Sequence, residues 1–275
     1  MPEKLTVLIP CKNEAKNIRP CIESVRDIAD EVLVADSGST DRTMAIAREC
    51  GARIIEREYV NPADFKNWAI PRAAHPWVFR LDADERVTPE LAAEVKRALS
   101  GTPKHDAYWV PRRSYFLGHE IKHSGWGSDR IIGLFRREGS RYAAVRVHEE
   151  IVTESGNVGR LKGLIRHYSY WSFTQYLEKL DRYTTWSAED LRDRGRRAGP
   201  MSLTFRPAWR FFRHYVIQCG FLDGFAGLVV SGLGAFAVFM KYAKLWGLQH
   251  GHPQPDPEAC GPGASPTRSG SGQCE

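Results

Sequence analysis

Short apolar runs alternate with helix-spaced segments from Lys4 to about Leu99, the pattern produced by a parallel sheet with crossover helices. Four runs predict strands, at Leu5–Ile9, Glu31–Ala35, Ala52–Ile55 and Trp77–Leu81. Between them, Ile18–Ile28, Thr40–Cys50 and Ala63–Ala74 read as helices, and another begins near Pro89. The first two strands are almost continuously Val, Leu and Ile, which requires burial on both faces in the middle of a sheet. Ligands of such sheets bind at the carboxyl ends of the strands, so the segments to inspect are Pro10–Glu14, Asp36–Asp41 and Asp82–Glu85.

After Thr102 the pattern shifts to longer mixed strands at Ala107–Tyr115, Ile131–Arg136 and Arg141–Thr153, with Gly118, Gly125, Gly127 and Gly139 at turns. This half is expected to complete the sheet and wall a cleft. Ser172 and Gln175 form a capping-box signature ahead of a helix carrying Leu177, Leu180 and Tyr183. Phe205, Trp209, Phe212 and Val216 then recur at helical spacing beside Arg206, Arg210 and Arg213. Such a basic amphipathic helix either packs its aromatics on the domain or lies on an anionic bilayer surface. Gly224–Met240 holds 17 positions without a charge, at the lower limit of about 17–25 for a membrane span. Its several Gly and Ser residues predict a short hairpin or an in-plane helix instead of a crossing, while the small residues at Gly220 and Gly224, and at Gly227 and Ser231, would allow close helix packing instead. Gly232–Ala237 matches a dinucleotide fingerprint in form only, because no strand precedes it. From about Gly251 the chain is rich in Pro, Gly and Ser, and 251–275 is expected to be a disordered tail.

Composition narrows the class. With 275 residues, 42% apolar and 26% charged, the chain can build a sizeable core and is not disordered as a whole. The net charge of +6 favours anionic partners such as phosphates or an acidic membrane surface, and is too weak to imply nucleic acid. Six cysteines without a C-x-x-C pair suggest free thiols in a reducing compartment, not a zinc site or disulfide framework. The apolar run before Lys12 is too short for a secretory signal, so a cytoplasmic location is expected.

The chemistry gathers at strand ends. Asp82-Ala83-Asp84-Glu85 puts two carboxylates two positions apart after a buried strand. If extended geometry continues, both project to one side and suit Mg2+ or Mn2+ bridging a diphosphate. The competing reading is a solvated acidic turn ahead of the Pro89 helix. Asp36-Ser37-Gly38-Ser39-Thr40-Asp41 supplies a tight turn and a helix cap. An ordinary strand-to-helix turn explains all of it except Asp36, whose carboxylate can accept hydrogen bonds from a uracil ring or ribose.

These pieces occur in order, with Pro10-Cys11-Lys12-Asn13-Glu14 after the first strand, and together the sequence resembles the family 2 glycosyltransferases of the GT-A fold. It is most similar to the bacterial branch that includes lipopolysaccharide-core glucosyltransferases. The likeness is carried by Asp36–Asp41, Lys66-Asn67-Trp68-Ala69, Leu81–Glu85, Val147-His148-Glu149, His167–Tyr170, Gly220–Gly224 and Lys241–Leu245. It implies an α/β architecture, a Rossmann-like, mostly parallel sheet with flanking helices, plus a C-terminal helical membrane-associating region. The implied organisation is a glycosyltransferase domain over 1–170, with a nucleotide-sugar half to about 100 and an acceptor half after it, then a helical region over 171–250.

Position by position, the resemblance implies that Pro10 and Glu14 shape the nucleoside pocket, Asp36 contacts the base and Lys66 lies beside the nucleotide. Asp82 would face the ribose or metal, and Asp84 would be the main ligand of Mg2+ or Mn2+. Transfer in this family is usually inverting, and a carboxylate must take the acceptor proton. Glu149 is the expected base, with Asp129 and Glu150 as rivals; His148 orients the base, binds phosphate or packs. The expected activity moves a sugar from a nucleotide-sugar donor, UDP-linked, to a lipid-linked or envelope glycan such as lipopolysaccharide core. The expected place is the cytoplasmic face of an inner membrane. A nucleotidyltransferase and a non-catalytic membrane-bound nucleotide scaffold are the alternatives.

Overall fold

The computed structural model describes residues 2–143 and 151–251. Its first half runs β1 (Leu5–Cys11), α1 (Ile18–Val25), β2 (Glu31–Asp36), α2 (Thr43–Glu49), β3 (Arg53–Glu56), α3 (Pro62–Ala69) and β4 (Trp77–Arg80). These strands lie parallel in the order β3-β2-β1-β4. The chain winds outward from β1 to β3 and then returns to the other side of β1. The crevice between the ends of β1 and β4 is therefore the switch point at which ligands of such sheets bind. Near-continuous apolar strands do bury both faces. Val7 and Ile9 join α1 and the helix over Pro89–Leu99 in one core, whereas Leu8, Leu33 and Val78 join α3 in the other.

The second half contains β5 (Glu85–Val87), α4 (Pro89–Leu99), β6 (Ala107–Phe116), β7 (His119–Glu120), β8 (Arg130–Arg136), β9 (Ser140–Tyr142), β10 (Ile151–Thr153), β11 (Val158–Arg160) and β12 (Ile165–Tyr170). β8 lies antiparallel between β4 and β6, β12 runs parallel to β6, and β5 closes the edge against β12. The segment expected as one strand over Arg141–Thr153 is instead two, since β9 and β10 pair antiparallel with Tyr142 opposite Ile151. Residues 144–150 lie between them, outside the described residues, and with them His148, Glu149 and Glu150.

The C-terminal region is helical: α5 (Phe173–Asp193), α6 (Pro200–Leu203), α7 (Phe205–Phe212) and α8 (Gly224–His250). The expected cap of α5 is present. Ser172 Oγ accepts from the Gln175 N–H at 3.2 Å, and Gln175 Oε1 accepts from the Trp171 N–H at 3.0 Å. Phe116 and Ile121 pack with Tyr176, Leu180 and Val230, which docks α5 and α8 on the sheet.

Two open readings of this region narrow. α8 is one continuous helix, not a hairpin, because its small residues serve close packing instead of reversal: a Cβ at Gly227 would stand 1.9 Å from the Gly220 carbonyl oxygen. α7 does not bury its aromatics on the domain. Trp209 is 47% exposed and Phe205 and Phe212 are similarly open, while Arg206 turns inward, bonding the Tyr242 hydroxyl with its guanidinium 5.1 Å from that ring. The segment Gly220–His250 is long and apolar enough to cross a membrane.

The start of α8 is also tied to the sheet domain. Asp223 accepts from the backbone N–H groups of Lys122 at 3.2 Å and His123 at 2.8 Å, and His123 Nδ1 lies 2.8 Å from Asp223 Oδ1. The Ser124 N–H donates to the Gln218 carbonyl at 3.1 Å.

Candidate active site

At the end of β4 the chain does not stay extended. Asp82–Glu85 forms a turn closed by the Glu85 N–H donating to the Asp82 carbonyl at 2.9 Å, so the two aspartates are not set side by side by strand alternation. They face different partners. Asp82 pairs with Arg80, and Asp84 Oδ2 lies 3.4 Å from His167 Nε2. Glu85 is fully buried and braces the turn from below, accepting from the Asp82 N–H at 2.9 Å and from Arg112 Nη1 at 3.1 Å. Arg112 also donates through Nε to Asp129 Oδ2 at 2.7 Å. Arg86 clamps the outside by donating to the carbonyls of Ala83 and Glu85 and to Asn17 Oδ1.

This is a dense field of opposite charges. Burial works to push the Asp82 carboxyl up, but the charges of Arg80, Lys66, Arg112 and His167 outweigh it and hold it at about 2. Asp82 thus stays anionic throughout the physiological range. Burial works to lower the Arg80 and Arg112 guanidinium groups, and the surrounding carboxylates reverse this and raise both. The same opposition acts on His167: burial lowers it, and its hydrogen bond to Asp84 with the Asp84 and Glu85 charges raises it overall. Glu14 is raised, first by burial and then by Asp84 and Asp82, against the lowering effects of its Asn17 hydrogen bond and Lys179. The acid turn and the end of β1 therefore share one crevice.

The other expected residues can be placed against this turn. Pro10 pairs with Ala35 at the end of β1, and Glu14 Oε2 accepts from Asn17 at 2.8 Å. Asp36 is buried and accepts from the N–H groups of Gly38 at 3.1 Å and Ser39 at 2.9 Å and from the Ser39 hydroxyl. Its carboxylate holds its own turn together, so the ordinary-turn reading, which left Asp36 unexplained, extends to it as well. Lys66 sits 4.9 Å from the Tyr142 ring centre and acts electrostatically on Asp82. Its neighbour Asn67 exchanges two hydrogen bonds with the Tyr142 backbone, fixing α3 to β9. Asp129 lies in the Arg112 network. The expected base Glu149 and its rival Glu150 lie outside the described residues.

Sequence reasoning gave no role to Arg80, Arg112, His167 or Lys179. Arg80 carried one signal, a charge in the last position of a fully buried strand. Arg112 and Lys179 reach the crevice from β6 and α5, a placement that only tertiary structure determines.

Among the described residues no group of three or more His, Cys, Asp and Glu side chains forms a metal cage. Asp82 and Asp84 still fit a hard divalent cation, because Mg2+ is usually held by one or two carboxylates with water and substrate phosphates supplying the rest.

Residues 6–167 match the family model described as glycosyl transferase family 2. A protein of Rickettsia felis described only as an uncharacterized glycosyltransferase is 31% identical over 258 residues, covering 88% of this chain and 89% of its own. The lipopolysaccharide core biosynthesis glycosyltransferase LpsC of Rhizobium meliloti is 30% identical over 249 residues, covering 88% and 92%. A solved structure of glucosyl-3-phosphoglycerate synthase from Mycobacterium tuberculosis, with Mn2+ and UDP-glucose, is 25% identical at a TM-score of 0.34. That alignment spans 41% of this chain and 44% of that one.

Proposed function

Since this chain belongs to glycosyltransferase family 2, we propose that it is an inverting, metal-dependent glycosyltransferase using a UDP-linked sugar and a lipid-linked or envelope glycan acceptor. The observation that carries this reading is the acidic turn at the switch point, with Asp82 held anionic against Arg80 and Asp84 facing His167. Asp84 and Asp82 would hold Mg2+ or Mn2+. Bound there, such an ion neutralises charge developing on a diphosphate leaving group.

The chain's own residues do the rest. Pro10 and Glu14 wall the nucleoside side of the crevice, Asp36 flanks the base through the turn that its carboxylate holds, and Lys66 lies along the phosphates. An acceptor oxygen attacks the anomeric carbon opposite the diphosphate. The new carbon–oxygen bond forms as the bond to phosphate oxygen breaks, and UDP leaves with that electron pair. The acceptor proton passes to a carboxylate, which we assign to Glu149. Glu149→Gln is expected to slow transfer roughly 100-fold or more while leaving donor binding intact. Full activity in that variant would move the base to Asp129 or Glu150.

The donor assignment is tested by thermal unfolding of the full chain against a panel of nucleotide sugars with and without Mn2+. A UDP sugar is expected to raise the midpoint only when the ion is present, since a ligand of the native state stabilises it. Equal protection by every nucleotide, or none, would remove the assignment.

We also propose peripheral attachment to the cytoplasmic face of an inner membrane. In support, α7 turns Phe205, Trp209 and Phe212 outward, and Phe225 on α8 is 79% exposed. Aromatic surface of this kind is suited to the headgroup boundary. Trp209→Glu with Phe212→Glu is expected to move the protein from floating vesicles to the soluble fraction, with the melting temperature unchanged. Persistent flotation would count against these side chains as the anchor.

A further inference from the structure

On α5, Lys179, Arg182, Tyr183 and Trp186 follow the spacing of i, i+3, i+4 and i+7 and so form one stripe along the helix. It runs beside the residues that α5 buries, Tyr176, Leu180 and Thr184 among them. Tyr183 and Trp186 are 51% and 50% exposed and meet edge to face, with ring centres 5.5 Å apart. The Arg182 guanidinium stands 5.9 Å from the first ring and 5.7 Å from the second.

The stripe begins at the crevice. Lys179 lies 5.2 Å from the Tyr170 ring and is near enough to Glu14 to lower its carboxyl, while Asp84 and Tyr183 both act on the Tyr170 phenol. From Lys179 to Trp186 the helix advances about 10 Å.

Neither cation of the stripe has an ion pair among the described residues. Asp181, the acid within the stripe, is engaged elsewhere, with Lys244 at 2.7 Å; Glu178 adjoins Lys179 and makes no ion pair with either cation among the described residues. Two open aromatic rings beside two cations that make no ion pair among the described residues, leading out of the proposed transfer site, suit a ligand that has both a ring to stack and an anionic group to pair.

We infer that this stripe is an acceptor subsite for an anionic glycan, with Tyr183 and Trp186 against a sugar ring and Lys179 and Arg182 on its phosphate or carboxylate. The inference rests on the transfer reaction proposed above and adds the chemical class of the acceptor. Anionic lipid headgroups would also meet aromatic and basic side chains. Lys179, however, is drawn over Tyr170 at the crevice and does not reach outward as a headgroup contact would.

The test uses the full chain and calorimetric titration. The probes are a deacylated lipopolysaccharide core oligosaccharide carrying its phosphates, the same oligosaccharide dephosphorylated, UDP with Mn2+, and phosphatidylglycerol vesicles. The unaltered protein is expected to bind the phosphorylated form at least roughly tenfold more tightly than the dephosphorylated one. Arg182→Gln with Trp186→Ala should lose roughly tenfold or more of that affinity and keep both UDP binding and vesicle flotation. Arg182→Gln alone should erase the preference for phosphate. Both residues are on the surface, so a changed melting temperature is not expected.

Undiminished oligosaccharide binding by the double variant, an equal response to both oligosaccharides, or loss of vesicle binding in place of oligosaccharide binding would each overturn the inference. So would absence of oligosaccharide binding in a protein that binds UDP. Failure to bind UDP with Mn2+ would instead strike the transfer reading itself.

Discussion

Asp84→Ala is expected to cut sugar transfer by about 1,000-fold or more, with the fold retained. The carboxylate stands at the tip of the turn that ends β4, where a diphosphate and its counter-ion would meet the protein. Its removal takes away several kcal/mol of charge stabilisation in the transition state. It takes little from the fold, because the turn is braced by Glu85 and Arg86, and the bond from the Tyr168 N–H goes to the Asp84 backbone carbonyl at 2.9 Å. The measurement is UDP release with Mn2+ present, alongside a melting curve. Wild-type turnover in a folded Asp84→Ala protein would end the metal assignment.

Arg112→Met is expected to act the other way, on the fold first. Arg112 is the ion partner of a fully buried Glu85, and deleting one member of a buried pair costs about 3–5 kcal/mol because the other charge is left unmatched. In a chain of this length that is a fall of roughly 6–20 °C in melting temperature. Adding Glu85→Gln removes the stranded charge and should recover part of the loss. Calorimetry on the single and double variants decides the matter: a loss below about 1 kcal/mol, or no recovery, would mean that Glu85 draws its stabilisation from the Asp82 N–H alone.

The legible part of this protein is the part governed by local periodicity. β1, β2 and β4 announce themselves because burial on both faces leaves no polar position in their middles, and the Ser172 cap is visible because capping is settled within four residues. The position of the acidic turn followed from the end of β4. Its shape did not, because the turn is set by Glu85 and Arg112, and Arg112 is 27 residues further along the chain. β9 and β10 read as one strand although they pair with each other; their inward positions fall out of phase, Tyr142 against Ile151 and Thr153 nine and eleven residues on, a shift that marks the break. The continuity of α8 was hidden for a different reason: small residues at Gly220 and Gly227 suit close packing as well as a reversal, and only the tertiary contact between them decides. The expectation for Glu149 concerns a stretch the structure does not describe, so it still stands on the family resemblance.

One arrangement reaches beyond the crevice. The stretch from Lys122 to Asp129 is bonded at its beginning to Asp223, at the foot of α8, and at its end to Arg112, which holds Glu85 under the acidic turn. It acts as a strut between the helical region and the reacting centre. If α7 and α8 rest on a bilayer, the strut fixes the height of the crevice above the lipid and the angle at which it opens. Acceptors would then be sorted by reach: a glycan whose growing end stands at that height is glycosylated, and one that is shorter or longer passes by unmodified.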